Sequence, residues 1–565
     1  MTTGKPLNLV LLWHMHQPDF RDVATGDFRL PWVYLHAIKD YADMAAHLER
    51  HPQVRVVVNF VPILLDQLED YGEQFASGRL RDPLLRALAS DNPGTASAEE
   101  RALILDRCFR AHHEKMVDPF PAYRRLLDLF RFAEGLGRAS LEYLSGQYYA
   151  DLLTWYHLAW TGETVRRTRP ELVQLMSKGQ GFTLDDRRLL LAVIGDTVRN
   201  LLPRWRRLAE RGQVELSSTP HYHPLAPLLL DFGAAREAQP DARMPRADHY
   251  PGGAERLGEH LCSAVESHRR RFGANPSGLW PAEGAVSDAF LRMLPPHGIR
   301  WTATGAAVLA NSLEAMASLQ HPADEWLYRG YRLCGTDLVG FFRDDHLSDL
   351  IGFEYSRWPG DAAATAFVGE LERIAAAAPA GTTPLVSVIL DGENAWEYYP
   401  YNGFYFLDGL YAALAAHPSI RLRTFTEYLD ATAPAGFGSL DHVVAGSWVY
   451  GNLSTWIGHH DKNAAWDLLC EAKRCFDLVT RGGQLDAGEL ALATRQLAVC
   501  EGSDWTWWFG DYNPPESVLA MDQVYRANLS HLYRLLKLEP PSALDTTVSR
   551  GGNAGASTGA MRRAS

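Results

Sequence analysis

The sequence predicts an α/β fold in which a barrel of parallel strands is followed by a helical region. Seven short apolar runs, several rich in β-branched residues, recur before about residue 437. Helical patterns lie between them. Such alternation, with strands that look buried on both faces, is typical of a parallel sheet covered by helices. After residue 437 only helical patterns continue.

The seven predicted strands are short apolar segments. They are Leu9–Trp13, Val54–Phe60, Val214–Ser217, Gly278–Trp280, Trp301–Thr304, Leu338–Phe342 and Leu385–Leu390. Seven such strands favour a closed barrel over an open sheet. Residues 420–425 (IRLRTF) are a candidate for one further strand.

Helices are predicted between the strands and after them. The clearest covers Leu184–Arg211, since Thr183 begins a helix-start signal and Gly212 follows the last periodic residue. The others are expected near 255–271, 285–294, 361–378, 461–478, 487–500 and 517–537. A long helical stretch from about 95 to 180 is predicted to be an insertion between the second and third strands.

These patterns divide the chain into two predicted domains. Residues 1–436 form the barrel domain with its insertion, and 437–540 form a helical domain, whose contribution to the cleft is implied only by the family resemblance given below. Residues 541–565 are rich in Gly, Ala, Ser and Thr without periodicity, so they are expected to be disordered.

Composition narrows the classes of partner and compartment. The formal charge is −13 without a basic stripe, which argues against nucleic acid as a partner. No segment is long and apolar enough to suggest a membrane span, and the N-terminal run LNLVLLW is interpreted as a strand rather than a signal peptide. The 6 cysteines form no CxxC pair, which predicts reduced thiols in a cytoplasmic protein. The oligomeric state is left open.

Aromatic residues make up 11% of the chain, and 16 of them are Trp. A large hydrophobic core would account for this content. A carbohydrate site is the second interpretation, because sugar faces are apolar and stack on aromatic rings while sugar hydroxyls need a few placed polar partners.

Polar residues follow five of the seven predicted strands. They are His14 and His16 after the first, His221 and His223 after the third, Glu283 after the fourth, Arg343–His346 after the sixth, and Asp391 and Glu393 after the seventh. In a parallel barrel the carboxyl ends of the strands meet at one rim, where catalytic groups lie. A single acid at a strand end is usually a cap or loop residue, but five such ends predict a site.

Glu283 and Asp391 are the pair of acids that matters most. Two carboxyl groups from different strands can divide the work of glycosidic cleavage, one as nucleophile or base and the other as proton donor. Their separation decides between retention and inversion, and the sequence leaves both outcomes open.

Five segments together resemble the conserved motifs of glycoside hydrolase family 57. They are LWHMHQP (12–18), GQVELSSTPHYHP (212–224), GLWPAEGAVS (278–287), LDGENAW (390–396) and SWVYGNLSTWIG (447–458). The HMHQP start and the GSDWTWWFG segment look most like amylopullulanase-type and amylase-like members. The resemblance implies a (β/α)7 barrel, an incomplete TIM-like barrel, followed by an α-helical domain. It also implies a retaining mechanism and α-glucan substrates.

Residue roles follow from the same resemblance. Glu283 matches the nucleophile, and Asp391 matches the general acid/base. Glu393 is expected to orient Asp391, tune its charge or bind a sugar hydroxyl, with a loop-stabilising role as the alternative. Trp396 and the aromatic run after it are expected to form a sugar-stacking wall, with loop packing as the alternative.

The histidines of the first strand are expected to contact substrate. His14 and His16 lie two apart and therefore share one face of a strand. Their alternative is a metal site, as in related mannosidase or deacetylase barrels. The acidic partners of such a site are absent from the first motif and Gln17 is a poor zinc ligand, so neither a metal nor another cofactor is predicted.

Further substrate contacts are predicted from the remaining motifs. They are His223, Trp280, Arg343, Trp448, Trp456, Asp504 and Trp505. The alternatives are a salt bridge from Arg343 to Asp344 or Asp349, an interdomain core for the tryptophans, and a helix cap for Asp504.

Two neighbouring features carry weaker predictions. Trp507 and Trp508 are interpreted as interface packing, and His112 and His113 of the insertion as structural. Related sequences often continue WWxG with Asp-Asp-His, whereas this chain has Asp511-Tyr512-Asn513. If that loop borders the site, the preference for chain length or linkage is expected to differ.

The leading hypothesis is a cytosolic retaining hydrolase of the α-amylase or amylopullulanase type. Its substrates would be glycogen, starch or maltooligosaccharides, cleaved at α-1,4 bonds, with α-1,6 bonds also open. A 1,4-α-glucan branching enzyme or 4-α-glucanotransferase with the same site is the close alternative. A metal-dependent deacetylase or mannosidase and a non-catalytic glucan-binding protein are more distant alternatives.

Overall fold

The computed structural model describes residues 5–22, 24–316 and 326–552. The described strands are β1 (Leu7–Met15), β2 (Val56–Phe60), β3 (Val214–Ser218), β4 (Gly278–Leu279), β5 (Trp301–Gly305), β6 (Tyr331–Leu333), β7 (Val339–Arg343), β8 (Leu385–Asp391), β9 (Ile420–Leu422) and β10 (Gly438–Leu440). Within this described part, seven of them close into a parallel barrel in the order β1-β2-β3-β4-β5-β7-β8, and β8 returns to β1. The predicted barrel is confirmed.

The register of β1 places three polar residues side by side at the barrel rim. His14 lies opposite Asn59 of β2 on one side and opposite Asp391 of β8 on the other. The closure between β7 and β8 is shorter and pairs Arg343 with Ser387. The rim therefore brings together residues that are hundreds of positions apart in sequence.

Three short strands extend the barrel sheet beyond the seven predicted ones. β6 runs antiparallel to β7, β10 pairs with β6, and β9 pairs with β1. The candidate strand at 420–425 ends early, at Leu422. Thr424 then caps the helix Phe425–Ala431 in a capping box with Glu427, so Phe425 belongs to that helix.

Helices surround the barrel and form the region between β2 and β3. The described α-helices before β10 are Trp32–His36, Ala42–Arg50, Pro62–Ser77, Pro83–Ala89, Ala98–Arg107, Pro121–Gly135, Gly146–Trp160, Glu163–Thr168, Pro170–Lys178, Leu184–Glu210, Ala226–Leu230, Ala235–Ala238, Gly253–Phe272, Asp288–Met293, Ala306–Ala315, Asp345–Asp349, Gly360–Ala377, Phe404–Ala416 and Phe425–Ala431. The segments Ala37–Tyr41, His113–Val117 and Leu350–Glu354 are π-helical. The long helix predicted from Leu184 ends one residue earlier than expected.

The C-terminal region is helical, as predicted. Its α-helices are His460–Arg481, Ala487–Cys500, Asp504–Trp508 and Pro515–Leu535. Among the described residues, no helix carries an apolar stretch long enough to cross a membrane. All 6 cysteines have free thiols.

The prediction of disorder after residue 540 is wrong for residues 541–552. Ser542–Asp545 form a 3-10 helix, Leu544 is buried, and the backbone N–H groups of Val548 and Ser549 donate to the buried carboxylate of Asp522. Small polar residues lack an apolar pattern, yet their backbone is held by a side-chain acceptor from the preceding helix. Residues 553–565 lie outside the described residues.

Candidate active site

The carboxyl ends of the barrel strands open into a cleft of about 930 Å³. Its floor carries Glu283, Asp391, Glu393 and Asp504 together with His14, His16, His223 and Arg343. The four acids come from the ends of two barrel strands and from a helix of the C-terminal region. The structure therefore brings most of the predicted polar site residues to one place.

Glu283 lies in the turn that follows β4. Its backbone has φ 58° and ψ 23°, a left-handed conformation that is costly for a residue with a side chain and that recurs at functional sites. The turn is held from two sides: Thr304 Oγ1 donates to Gly284 O at 2.6 Å, and the backbone N–H of Trp448 donates to Glu283 O at 3.3 Å. These contacts stabilise a strained turn that presents the Glu283 side chain to the cleft.

The Glu283 carboxyl group lies in an environment that favours its neutral form. Burial raises its pKa well above the usual range, and the negative charges of Asp504 and Asp391 raise it further. Ser503 Oγ donates to Glu283 Oε1 at 3.4 Å and opposes this shift. Burial and the two neighbouring carboxylates therefore favour a proton on Glu283.

Asp391 is the last residue of β8. Burial raises its pKa to about 6, while a hydrogen bond from Asn394 and the positive charges of His16 and Arg343 act in the opposite direction. Asn394 Nδ2 donates to Asp391 Oδ2 at 2.8 Å. A carboxyl group with a pKa near 6 can both deliver and accept a proton close to neutral pH, as a general acid/base requires.

The chain leaves β8 through a close approach to β1. The backbone N–H of Gly392 donates to His14 O at 2.6 Å, and a Cβ at this position would lie 2.3 Å from Met15 Sδ. A side chain at this position would have to push the buried Met15 side chain aside. The hydrogen bond from Gly392 holds Asp391 against the end of the first strand.

Glu393 is buried and connects the ends of β8 and β1. Its Oε1 accepts hydrogen bonds from the His16 backbone N–H at 3.1 Å and from Gln17 Nε2 at 3.4 Å. Its Oε2 has no hydrogen-bond partner among the described residues. Burial and the charge of Asp391 raise its pKa well above the usual range. Glu393 therefore positions the His16 segment and adds a second protonatable group beside Asp391.

His14 is held as a neutral imidazole. Asn59 Nδ2 donates to Ser218 O, so Asn59 presents its oxygen to His14 Nδ1 at 2.7 Å, and the imidazole donates there. Burial lowers the pKa of His14 to about 3, with a further contribution from His16. Its Nε2 is consequently the unprotonated nitrogen.

His16 and His223 form a stack that joins the barrel to the C-terminal region. Their ring centroids are 3.8 Å apart. His16 Nε2 lies 2.8 Å from Asp504 Oδ1, and His223 Nδ1 lies 2.9 Å from Ser503 Oγ. Because Ser503 donates to Glu283, its oxygen accepts from His223. Burial and the two neighbouring histidines lower the pKa of His223 well below its usual range.

Arg343 lines the cleft, but ion pairs occupy its guanidinium group. It contacts Asp345 at 2.7 Å and Asp349 at 2.8 Å, and its Nε donates to Ile389 O. Of the two predicted ion-pair partners, Asp349 is confirmed, whereas Asp345 takes the place of Asp344. The guanidinium carbon also lies 5.4 Å from the ring centre of Trp448.

The predicted tryptophans divide into two groups. Trp448 is half-buried and lines the cleft. Trp280, Trp396, Trp456 and Trp505 are at most 2% exposed and lie beneath the cleft surface. Trp396 Nε1, for example, donates to Gly392 O and supports the turn after Asp391. The prediction that these four tryptophans contact the sugar is therefore wrong, and they support the cleft from below. A sequence motif predicts that a ring lies near a site, but not whether a face of that ring is exposed.

Other aromatic side chains line the cleft instead. On one side the insertion and the loops after β1 and β8 contribute Trp32, His112 and Tyr398. On the other side the C-terminal region contributes Trp507 and Trp508. We call these sides the insertion wall and the C-terminal wall. His112 packs edge-on against Tyr398, with ring centres 5.1 Å apart, which agrees with a packing role, and it also lines the cleft.

His16, His223 and Asp504 are the potential metal ligands in the cleft. Their ligand atoms lie within 4.8 Å of one another. The two imidazole rings are stacked at an interplanar angle of 22°, however, so their in-plane lone pairs run side by side rather than converge. A tetrahedral zinc site needs converging ligands. The arrangement fits a catalytic metal poorly.

Comparisons with known proteins agree with the barrel and the motifs. The family model described as Glycosyl hydrolase family 57 matches residues 10–442. A GH57-type branching enzyme from Pyrococcus horikoshii superimposes with a TM-score of 0.58 at 15% identity, covering 94% of this chain and 89% of the other. The α-amylase from Thermotoga maritima gives 0.56 at 12% identity, covering 95% and 93%. The 4-α-glucanotransferase from Thermococcus litoralis gives 0.50 at 14% identity, covering 94% and 60%. These three enzymes carry three different activities, so the shared fold leaves the reaction open.

Proposed function

Since the chain belongs to glycosyl hydrolase family 57, we propose that it is a retaining α-glucan-active enzyme with Glu283 as nucleophile and Asp391 as general acid/base. The observation that carries the proposal is the meeting of these two acids in one cleft, each with a raised pKa. Glu283 attacks the anomeric carbon while Asp391 protonates the leaving oxygen. Asp391 then takes a proton from water, which releases the sugar from Glu283.

One proton on Asp391 satisfies both requirements of the first step. The leaving oxygen needs a proton, and Glu283 must be ionised to attack. Asp391 in its neutral form no longer contributes the negative charge that raises the pKa of Glu283. Ser503 then stabilises the Glu283 carboxylate with its hydroxyl group. In the form that is competent for attack, the proton lies on Asp391 and Glu283 is ionised, although burial and the charge of Asp504 still favour neutral Glu283.

The proposed substrate is an α-1,4-glucan such as glycogen, starch or a maltooligosaccharide, with α-1,6 bonds as a further specificity. Aromatic rings on the insertion wall and the C-terminal wall support it, because sugar faces stack on such rings. The leading proposal is hydrolysis of the α-amylase or amylopullulanase type, without a metal and in the cytoplasm. The free thiols agree with a reducing compartment.

Transfer to a second glucan is the alternative, as in a branching enzyme or 4-α-glucanotransferase. The cleft supports it in one respect: both walls contribute aromatic rings, so each wall offers a stacking surface, one for a donor chain and one for an acceptor chain. Hydrolysis and transfer share the covalent intermediate and differ in whether water or a sugar hydroxyl reaches it.

A product profile tests the proposal. Amylose and maltoheptaose are incubated with the purified protein, with and without EDTA, and reducing ends and chain lengths are followed together. New reducing ends that EDTA does not affect support hydrolysis. Redistributed lengths or new α-1,6 branches without new reducing ends support transfer. Loss of activity in EDTA with recovery on zinc addition would contradict both.

A further inference from the structure

Residues 541–552, which we call the C-terminal strap, run along the outside of the C-terminal wall. Leu544 and Ser549 are buried, and Arg526 Nη1 donates to Leu544 O at 2.9 Å. Leu544 and Ser549 therefore anchor the strap to the helical region. Five other strap residues are exposed: Ser542, Ala543, Asp545, Thr546 and Arg550.

Two carboxylates hold the strap, the buried Asp522 and the partly exposed Asp461. Asp522 Oδ1 accepts the backbone N–H groups of Val548 at 2.7 Å and Ser549 at 3.1 Å, while Arg526 pairs with Asp522 Oδ2 at 2.7 Å. Ser549 Oγ donates to Asp461 Oδ2 at 2.8 Å. Asp522 is 0% exposed, so its hydrogen bonds to the strap replace contacts with water that burial removes.

The strap also fixes the loop that precedes the last long helix. The backbone N–H of Gly510 donates to Ser549 Oγ at 2.9 Å, and that of Gly552 donates to Asn513 O at 3.1 Å. A Cβ at Gly552 would lie 1.9 Å from Asp511 O, so the strap and the loop are in direct contact. This is the loop whose sequence departs from the Asp-Asp-His pattern.

The same loop supports the lining of the cleft. Asn513 Nδ2 donates to Trp507 O and to Trp508 O, at 3.3 and 2.9 Å. These hydrogen bonds support Trp507 and Trp508, and Pro514, Ser517 and Met521 of the same wall also line the cleft. A continuous chain of contacts thus leads from the strap through the loop to the aromatic rings of the C-terminal wall.

We propose that the C-terminal strap is a positioning element that sets the C-terminal wall for binding of extended α-glucan chains. This inference rests on the proposed function for its substrate. A short donor that fills only the floor of the cleft does not need the wall. A long chain does, so the strap acts on long substrates selectively.

Matched truncations test the inference. One variant ends at Gly552 and keeps the strap, and the other ends at Pro540 and lacks it. We expect the longer variant to equal the full chain. For the shorter one we expect KM for maltoheptaose to rise roughly 5- to 10-fold, about 1–1.4 kcal/mol, while kcat/KM on α-glucosyl fluoride stays within about twofold. Equal losses on both donors, or no change on maltoheptaose, would overturn the proposal.

Two further measurements keep the outcome interpretable. Hydrogen exchange is compared across residues 507–521 in the two truncations, and faster exchange is expected only without the strap. Unchanged exchange contradicts the proposal even if no glucan is turned over. Absence of glucan activity in the full chain, with faster exchange in the shorter variant, removes the proposed function but not the role of the strap. If the shorter variant fails to fold, Gly552→Val in the full chain replaces it. The valine side chain would clash with Asp511 O and push the loop away from the strap.

Discussion

The floor of the cleft and its two walls are built differently. On the floor, Glu283, Asp391 and His14 extend from barrel strands or the turns after them, and removal of their polar groups from water shifts the pKa of all three. On the walls, Trp32, Tyr398 and Trp508 come from helices and irregular segments and are half-buried. The barrel thus positions the ionisable groups of the proposed reaction, while the walls present aromatic rings to the proposed glucan substrate.

The largest expected effect is on the floor, at Glu283. Replacing Glu283 by Ala removes the nucleophile of the two-step route, and turnover should fall on the order of 10⁴-fold or more. Added azide should restore part of the activity on an activated aryl α-glucoside and give a product of inverted configuration. Unchanged circular dichroism provides the folding control. Full activity in this variant would show that a residue other than Glu283 is the nucleophile.

Asp391→Asn should depend on the leaving group. With poor leaving groups, protonation in the first step is lost and the rate should fall roughly 10²- to 10⁴-fold. Activated aryl glycosides need no such proton, so their first step should be affected least. Pre-steady-state release of the aryl group measures this step. Equal loss across leaving groups would remove the acid role.

Trp396 and Trp508 compare a supporting ring with a wall ring. Trp396→Ala should lower the free energy of unfolding by about 3–5 kcal/mol, because it opens a cavity under the turn after Asp391. Trp508→Ala should leave stability nearly unchanged and raise KM for maltoheptaose roughly 3- to 10-fold, about 0.5–1.5 kcal/mol. Chemical denaturation and steady-state kinetics separate the two. If Trp396→Ala raised KM without lowering the free energy of unfolding, Trp396 would be a substrate contact rather than a supporting ring.

The smallest expected effect is a shift of the pH profile. General acid catalysis needs neutral Asp391, so kcat/KM should fall as the pH rises through the pKa of this group, near 6. Asn394 donates to the carboxylate and favours its charged form. Asn394→Ala should therefore raise the pKa of Asp391 and move the alkaline limb to higher pH. A shift to lower pH, or an unmoved limb in a folded variant, would assign that limb to a different group.

The sequence predicted the barrel and the floor well because both depend on local signals. Apolar β-branched runs give the strands, and acids directly after them give the rim. β4 was found even though the structure reduces it to Gly278–Leu279, since the polar turn follows at once. β6, with its three residues, was missed because so short a run has no recognisable pattern.

The walls could not be predicted in the same way. Trp396 is buried and Tyr398, two positions later, lines the cleft, a difference set by the 3-10 turn between them rather than by residue type. His112 reaches the cleft through the packing of the insertion on the loop after β8. The strap was missed because its order depends on distant acceptors, Asp522 and Asp461. Such contacts leave no periodic trace in the sequence.

The central claim is that Glu283 forms a covalent bond to the sugar on the floor of this cleft. Its most direct test is trapping with a slow 5-fluoro-α-glucosyl fluoride, followed by intact mass measurement and peptide mapping. We predict one added fluoroglucosyl group on the peptide that contains Glu283, and none in Glu283→Gln. An active wild type that carries no adduct, or an adduct on a different acid, would contradict the account.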